Sequence, residues 1–180
     1  MVANVRLLSA LFLLFVVASS PARAEDYVEP GRFGFEALVT CCTTQGGISY
    51  VSDQVDLGID AFGGQSKVQD SGTSYASNTY GTVLRLGKRW NIRDHNYITT
   101  GAVWNDYFGS QGPVSIKGSF ILSPYVGLQR HFPNSPVMLN VFVKPYVHSY
   151  LRANDGSGNL SQTTSNTYFT DGGFGLTYLF

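Results

Sequence analysis

Apolar residues recur at every second position in long stretches of this chain. In residues 174–180, Phe174, Leu176, Tyr178 and Phe180 share one parity, Gly175 and Thr177 the other, and Leu179 is the one misfit. Successive side chains of an extended strand point to opposite faces, so this alternation predicts strands that are apolar on one face. Residues 55–63 are the cleanest case before the C-terminus: Val55, Leu57, Ile59 and Ala61 alternate with Asp56, Gly58, Asp60 and Phe62. Residues 32–41 set Phe33, Phe35, Ala37 and Val39 against Gly34, Glu36, Leu38 and Thr40. Residues 78–88 set Tyr80, Thr82, Leu84 and Leu86 against Gly81, Val83, Arg85 and Gly87. Residues 116–130 set Phe120, Leu122, Val126 and Leu128 against Lys117, Ser119, Ser123 and Gln129. Residues 137–150 set Val137, Leu139, Val141, Val143 and Val147 against Asn140, Lys144 and His148. Residues 96–106 have faces of nearly equal polarity, with Ile98, Thr100, Ala102 and Trp104 read as the apolar side. A short strand at 47–51 brings the count to eight, the last continuing to Phe180 with Asp171 and Gly173 on the polar face.

Short turn signals fall at 52–54, 89–95 and 131–136, the last bounded by prolines. Longer stretches rich in Gly, Ser, Thr, Asn and Gln fall at 64–77, 107–115 and 151–166 and read as loops. The two kinds alternate along the chain. An even number of strands joined this way puts short turns on one side and long loops on the other. The expected fold class is therefore all-β, an eight-stranded up-and-down antiparallel barrel. Two features favour a transmembrane barrel over a soluble one. The apolar faces stay nearly free of charge for about the nine to eleven residues a tilted spanning strand needs. The polar faces carry mostly small residues, as a narrow interior requires. Aromatics also gather near strand ends, Phe33, Trp90, Phe132, Tyr178 and Phe180 at one side and Tyr80, Trp104, Tyr107, Tyr150 and Tyr168 at the other. In hydrocarbon such a sheet must close, because an open edge leaves backbone groups unpaired.

The N-terminus changes the picture of where the chain goes. Arg6, the twelve apolar-rich residues 7–18 and Pro21-Ala-Arg-Ala24 read as a secretory signal peptide, too short in its apolar run to span a bilayer. Removing residues 1–24 from the 180 leaves 156, one domain over 25–180. The remaining charge, 10 basic against 12 acidic residues, gives no reason to expect nucleic acid as a partner. Cys41 and Cys42 are adjacent, a spacing unlike that of metal-binding pairs and strained for a disulfide between them, so two thiols at a loop edge are the first reading and an intermolecular or vicinal disulfide the other.

A strand that alternates apolar residues and stops on an aromatic, as Phe174, Leu176, Tyr178 and Phe180 do, resembles the closing strand of Gram-negative outer-membrane barrels. In architecture the mature chain resembles the small OmpA-type and OmpX-type families. That resemblance implies outer-membrane residence among lipids and lipopolysaccharide. It also implies insertion by the barrel-assembly machinery, with those four residues as the assembly signal.

The same register places Glu36, Asp56, Asp60, Arg85, Lys117, Lys144, His148 and Asp171 inside. Eight strands enclose a space nearly filled by side chains, so these charges are expected to pair as a structural plug. The other reading is a narrow path for ions or small apolar molecules. Some small outer-membrane barrels modify lipid A, and His148-Ser149 raises that third reading. Neighbouring strand residues face opposite ways, however, so these two cannot act as base and nucleophile, and no serine accompanies Asp106 or Asp155. No catalytic, cofactor or metal residue is assigned, and His95 and His131 are expected in solvated turns. The loops 64–77 and 151–166 suit contact with an extracellular ligand, an adhesin-like role.

Overall fold

The computed structural model describes residues 31–40, 43–70, 73–111, 114–154 and 159–180. The expected signal peptide, the lead-in to residue 30 and the Cys41-Cys42 pair lie outside them. Eight strands follow in order: β1 (Arg32–Thr40), β2 (Thr44–Val51), β3 (Val55–Asp70), β4 (Thr73–Arg93), β5 (Asn96–Gln111), β6 (Val114–His131), β7 (Val137–Asn154) and β8 (Leu160–Leu179). Each pairs antiparallel with the next, and β8 pairs with β1 to close the ring. The end of β8 is fastened on both sides: the Phe180 N–H donates to Phe33 O at 2.9 Å across the seam, and the Leu179 N–H to Pro136 O, just ahead of β7, at 2.6 Å.

Alternation sets the two surfaces of the ring. Phe33, Phe35 and Val39 of β1 lie exposed on its outside, while Gly34, Glu36 and Leu38 are buried inside. The contrast is sharpest on β3 and β4. Ile59 and Leu86 are 63% and 64% exposed, whereas Asp56 and Asp60 are 1% exposed. Leu179, the misfit in the C-terminal pattern, points inward and packs with Val51 and Met138.

Most strands outrun their expected lengths. The stretches read as loops at 64–77, 107–115 and 151–166 are largely ladder among the described residues. These extensions are mostly polar, with apolar residues such as Phe108 and Leu160 only scattered among them, so they carry no sustained apolar alternation to announce them. Antiparallel pairing needs backbone partners and not an apolar face. At the other side, β4 runs to Arg93, leaving a two-residue turn at Asp94-His95 with Asp94 at φ 48°.

The β1–β2 hairpin is the exception, since it stops at Thr40 and Thr44. Its neighbours continue. Along the described pairing, residues 64–70 of β3 pair with β4 alone, and residues 160–171 of β8 with β7 alone. The wall is thus lower over β1–β2 than elsewhere. A second irregularity lies between β6 and β7, where pairing is interrupted between Leu122–His148 and Val126–Val143. Pro124 and Pro145 both fall in that interval. Proline has no N–H to give a ladder, so it sits at edges and bulges.

Candidate functional site

The interior is where this chain concentrates chemistry, and it is layered. Nearest the short turns, Val51, Met138 and Leu179 form an apolar plug. Beside it Arg89, 1% exposed, lies with its guanidinium 3.8 Å from the Tyr97 ring centroid and donates to Ser52 O. A ring face attracts such a cation most strongly where water is excluded.

The middle layer is ionic. Arg85 of β4 reaches three carboxylates, Glu36 Oε2 at 2.8 Å, Asp56 Oδ1 at 3.2 Å and Asp60 Oδ2 at 3.9 Å. Asp56 Oδ2 accepts two further bonds, from Gln129 Nε2 at 2.9 Å and the Tyr125 hydroxyl at 3.3 Å. Glycines make the space. A Cβ at Gly58 would lie 2.8 Å from Glu36 Oε1 and 2.9 Å from Arg85 Nη2, and one at Gly87 would overlap the Tyr125 hydroxyl. Around this layer the free volume is about 20 Å³, on the order of a single water.

Lys144 and Asp171 form a second pair at 2.7 Å, one strand apart across β7–β8. They mark the start of a chamber of about 480 Å³ on the long-strand side, whose walls include Phe62, Asn105, Tyr107, Ile121, Ser123 and Val147. Thr40 and Thr43 of the short hairpin border it, as do Gly64 and Gln65 of the adjoining β3.

Of the residues expected inside, Glu36, Asp56, Asp60, Arg85 and Lys144 are buried there, and Asp171 is half-buried at the Lys144 pair. The Lys117 side chain lies outside the described residues. His148 is not inside. Its Nδ1 lies 2.7 Å from Asn166 Oδ1 on the outer face, and it pairs with outward Leu122, while Val147 turns inward to the chamber. The cause is the bulge at Pro145. From Val143 to His148 β7 takes five steps against four on β6 from Val126 to Leu122, so inside and outside exchange beyond it. Ser149, on the opposite face from His148, meets Ser165 Oγ at 2.6 Å. Tyr107, expected among the aromatics near the strand ends, lines the chamber. Sequence reading missed Arg89, Tyr97 and Tyr125, although each continues the parity of an inward residue on its strand.

No family model matches this chain, and no curated protein matches it. Among the described residues no group of His, Cys, Asp and Glu is arranged to hold a metal ion. The C-terminal residues Phe174, Leu176, Tyr178 and Phe180 are all exposed on the outer face, with Phe180 against Phe35 at 5.2 Å between ring centroids.

Proposed function

We propose that the chain is an outer-membrane barrel that spans the bilayer with its eight strands, is closed to solutes across its middle, and acts structurally or through surface contacts made by its long hairpins. The observation that carries this reading is the inversion of the two surfaces. A protein in water hides apolar side chains and leaves ionised ones outside. Here Phe35, Ile59, Leu86 and Phe174 are outside, and Glu36, Asp56, Asp60 and Arg85 are inside. Lipid outside the ring makes that arrangement favourable, and closure of the sheet leaves no backbone edge in hydrocarbon.

The ends of the apolar belt support the same reading. Lys88 lies 5.5 Å from the Trp90 ring and Arg130 5.9 Å from the Phe132 ring at the short-turn side. On the other side Trp104, Phe120 and Tyr150 stack in a row, with centroids 4.7 and 5.3 Å apart. Long cations and amphipathic rings favour the headgroup level. Insertion through the barrel-assembly machinery, with the exposed C-terminal residues as its signal, belongs to this proposal, as does the likeness to the OmpA-type and OmpX-type families.

Cell fractionation tests it. The mature protein is expected to sediment with outer membranes and to need detergent for release; recovery in the soluble periplasmic extract would overturn the reading. In planar bilayers the protein is expected to be electrically silent, since Arg85, its carboxylates and Tyr125 fill the middle. Regular conductance steps would replace the closed barrel by a channel for ions or small solutes. A change in lipid A mass on expression would replace it by a lipid-modifying enzyme.

A further inference from the structure

We infer that the chamber on the long-strand side is a binding site for an uncharged, hydroxyl-rich small molecule with the chemistry of a sugar ring. Its volume, about 480 Å³, falls within the range of roughly 300–1,000 Å³ typical of small-molecule sites. Volume alone selects no ligand; the lining does.

Two polar groups on adjacent strands meet the chamber without a protein partner. Asn105 and Ser123 line the cavity, and within these buried residues Oδ1 of the first and Oγ of the second make no hydrogen bond. Val103 of β5 pairs with Ser123 of β6, so Asn105 and Ser123 sit diagonally on one inward face, within reach of one small molecule. Buried polar groups in native proteins are almost always bonded. A wholly apolar guest would leave both unpaired, and hydroxyl groups can serve both.

Charge narrows the choice further. Lys144 and Asp171 are the ionised groups of the lining, and they bind each other at 2.7 Å. Paired in this way they present no net charge to attract an ion, and an uncharged guest leaves the pair whole. The rest of the wall joins Phe62, Ile121 and Val147 to Thr40, Thr79 and Gln65. A ring that is apolar on its C–H faces and polar at its edge matches that mixture. None of this requires lipid outside the ring, so the inference stands apart from the proposed location.

The test uses the full mature chain in an amine-oxide detergent, whose headgroup is not a sugar, with folding verified by circular dichroism. Methyl glucoside and methyl galactoside are titrated while NMR shifts are followed. Saturable shifts at Asn105, Tyr107 and Ser123 are expected, with none from glucuronate or from hexanol. Asn105→Leu should weaken binding about tenfold, the loss that one hydrogen bond of ordinary net worth produces. Asp106→Asn, on the outer face, should leave it unchanged. Titration of a neutral glycolipid in the same micelles identifies the source: saturation by the glycolipid alone assigns a lipid-borne sugar, and saturation by the free glycosides a soluble one. Absence of saturable shifts with both, a response to hexanol alone, or unchanged affinity in Asn105→Leu would overturn the inference.

Discussion

Between the short turns and Lys144 the interior is filled, and beyond Lys144 about 480 Å³ of it is not. Both halves belong to the same eight strands and obey the same alternation, so strand number does not decide whether such a barrel is solid. In the filled half, large inward side chains lie over glycines: Tyr125 over Gly87 and Gly101, the Arg85–Glu36 pair over Gly58, Phe142 against Gly173. In the open half, half of the lining residues are Thr, Gln, Asn or Ser, and the bulge at Pro145 brings Val147 to the wall in place of His148. Packing in one half is a matching of large against absent side chains, and in the other the large residues Phe62, Tyr107 and Ile121 line a space they do not fill.

The comparison can be broken at several strengths. Arg85→Met should be the most damaging, because it strands three carboxylates in the filled half. Removing one partner of a buried ionic group costs about 3–5 kcal/mol, and urea unfolding would measure the loss. Asp60→Asn, which lowers the negative excess around Arg85, should cost much less in the same assay. Leu86→Arg follows. On a lipid-facing midplane it should cost about 2–4 kcal/mol, against almost nothing if water surrounds the ring, so this variant also tests where the barrel resides. Gly87→Ala puts a methyl group where the Tyr125 hydroxyl lies, and overpacking of this kind costs about 1–3 kcal/mol. Smallest is Asn105→Leu in the open half. It removes a buried group that has no partner, so stability should hold or rise by under about 1 kcal/mol. A large loss there would show that the open half is packed as tightly as the closed one.

Parity carried a reader of the sequence a long way into the filled half. Glu36, Asp56, Asp60 and Arg85 lie on unbroken alternations, and one register locates all four. It failed where the backbone departs from two-residue periodicity. Counting by twos through Pro145 puts His148 inside, although a proline within an apolar strand is itself a sign of a bulge. Arg89 follows the parity of Arg85 and Gly87, but it stands in the polar stretch 89–95 that reads as a turn, of which residues 89–93 are in fact the end of β4. Leu179 looked like an error in the C-terminal pattern because an apolar residue inside a polar interior has no sequence signature. Its partners Val51 and Met138 stand on β2 and β7, far away along the chain. The chamber was not legible at all. An empty volume depends on which residues face each other across the ring, and hydrophobic patterning does not encode it.

The low step over β1–β2 has its own geometrical result. Thr40, Thr43, Gly64, Gln65 and Asp171 line the chamber beside that step, so the described ladder beside them is shorter than the one across from it. Lengthening the hairpin by one rung on each strand would raise that flank against the chamber and give the one-sided stretches of the third and last strands a second neighbour.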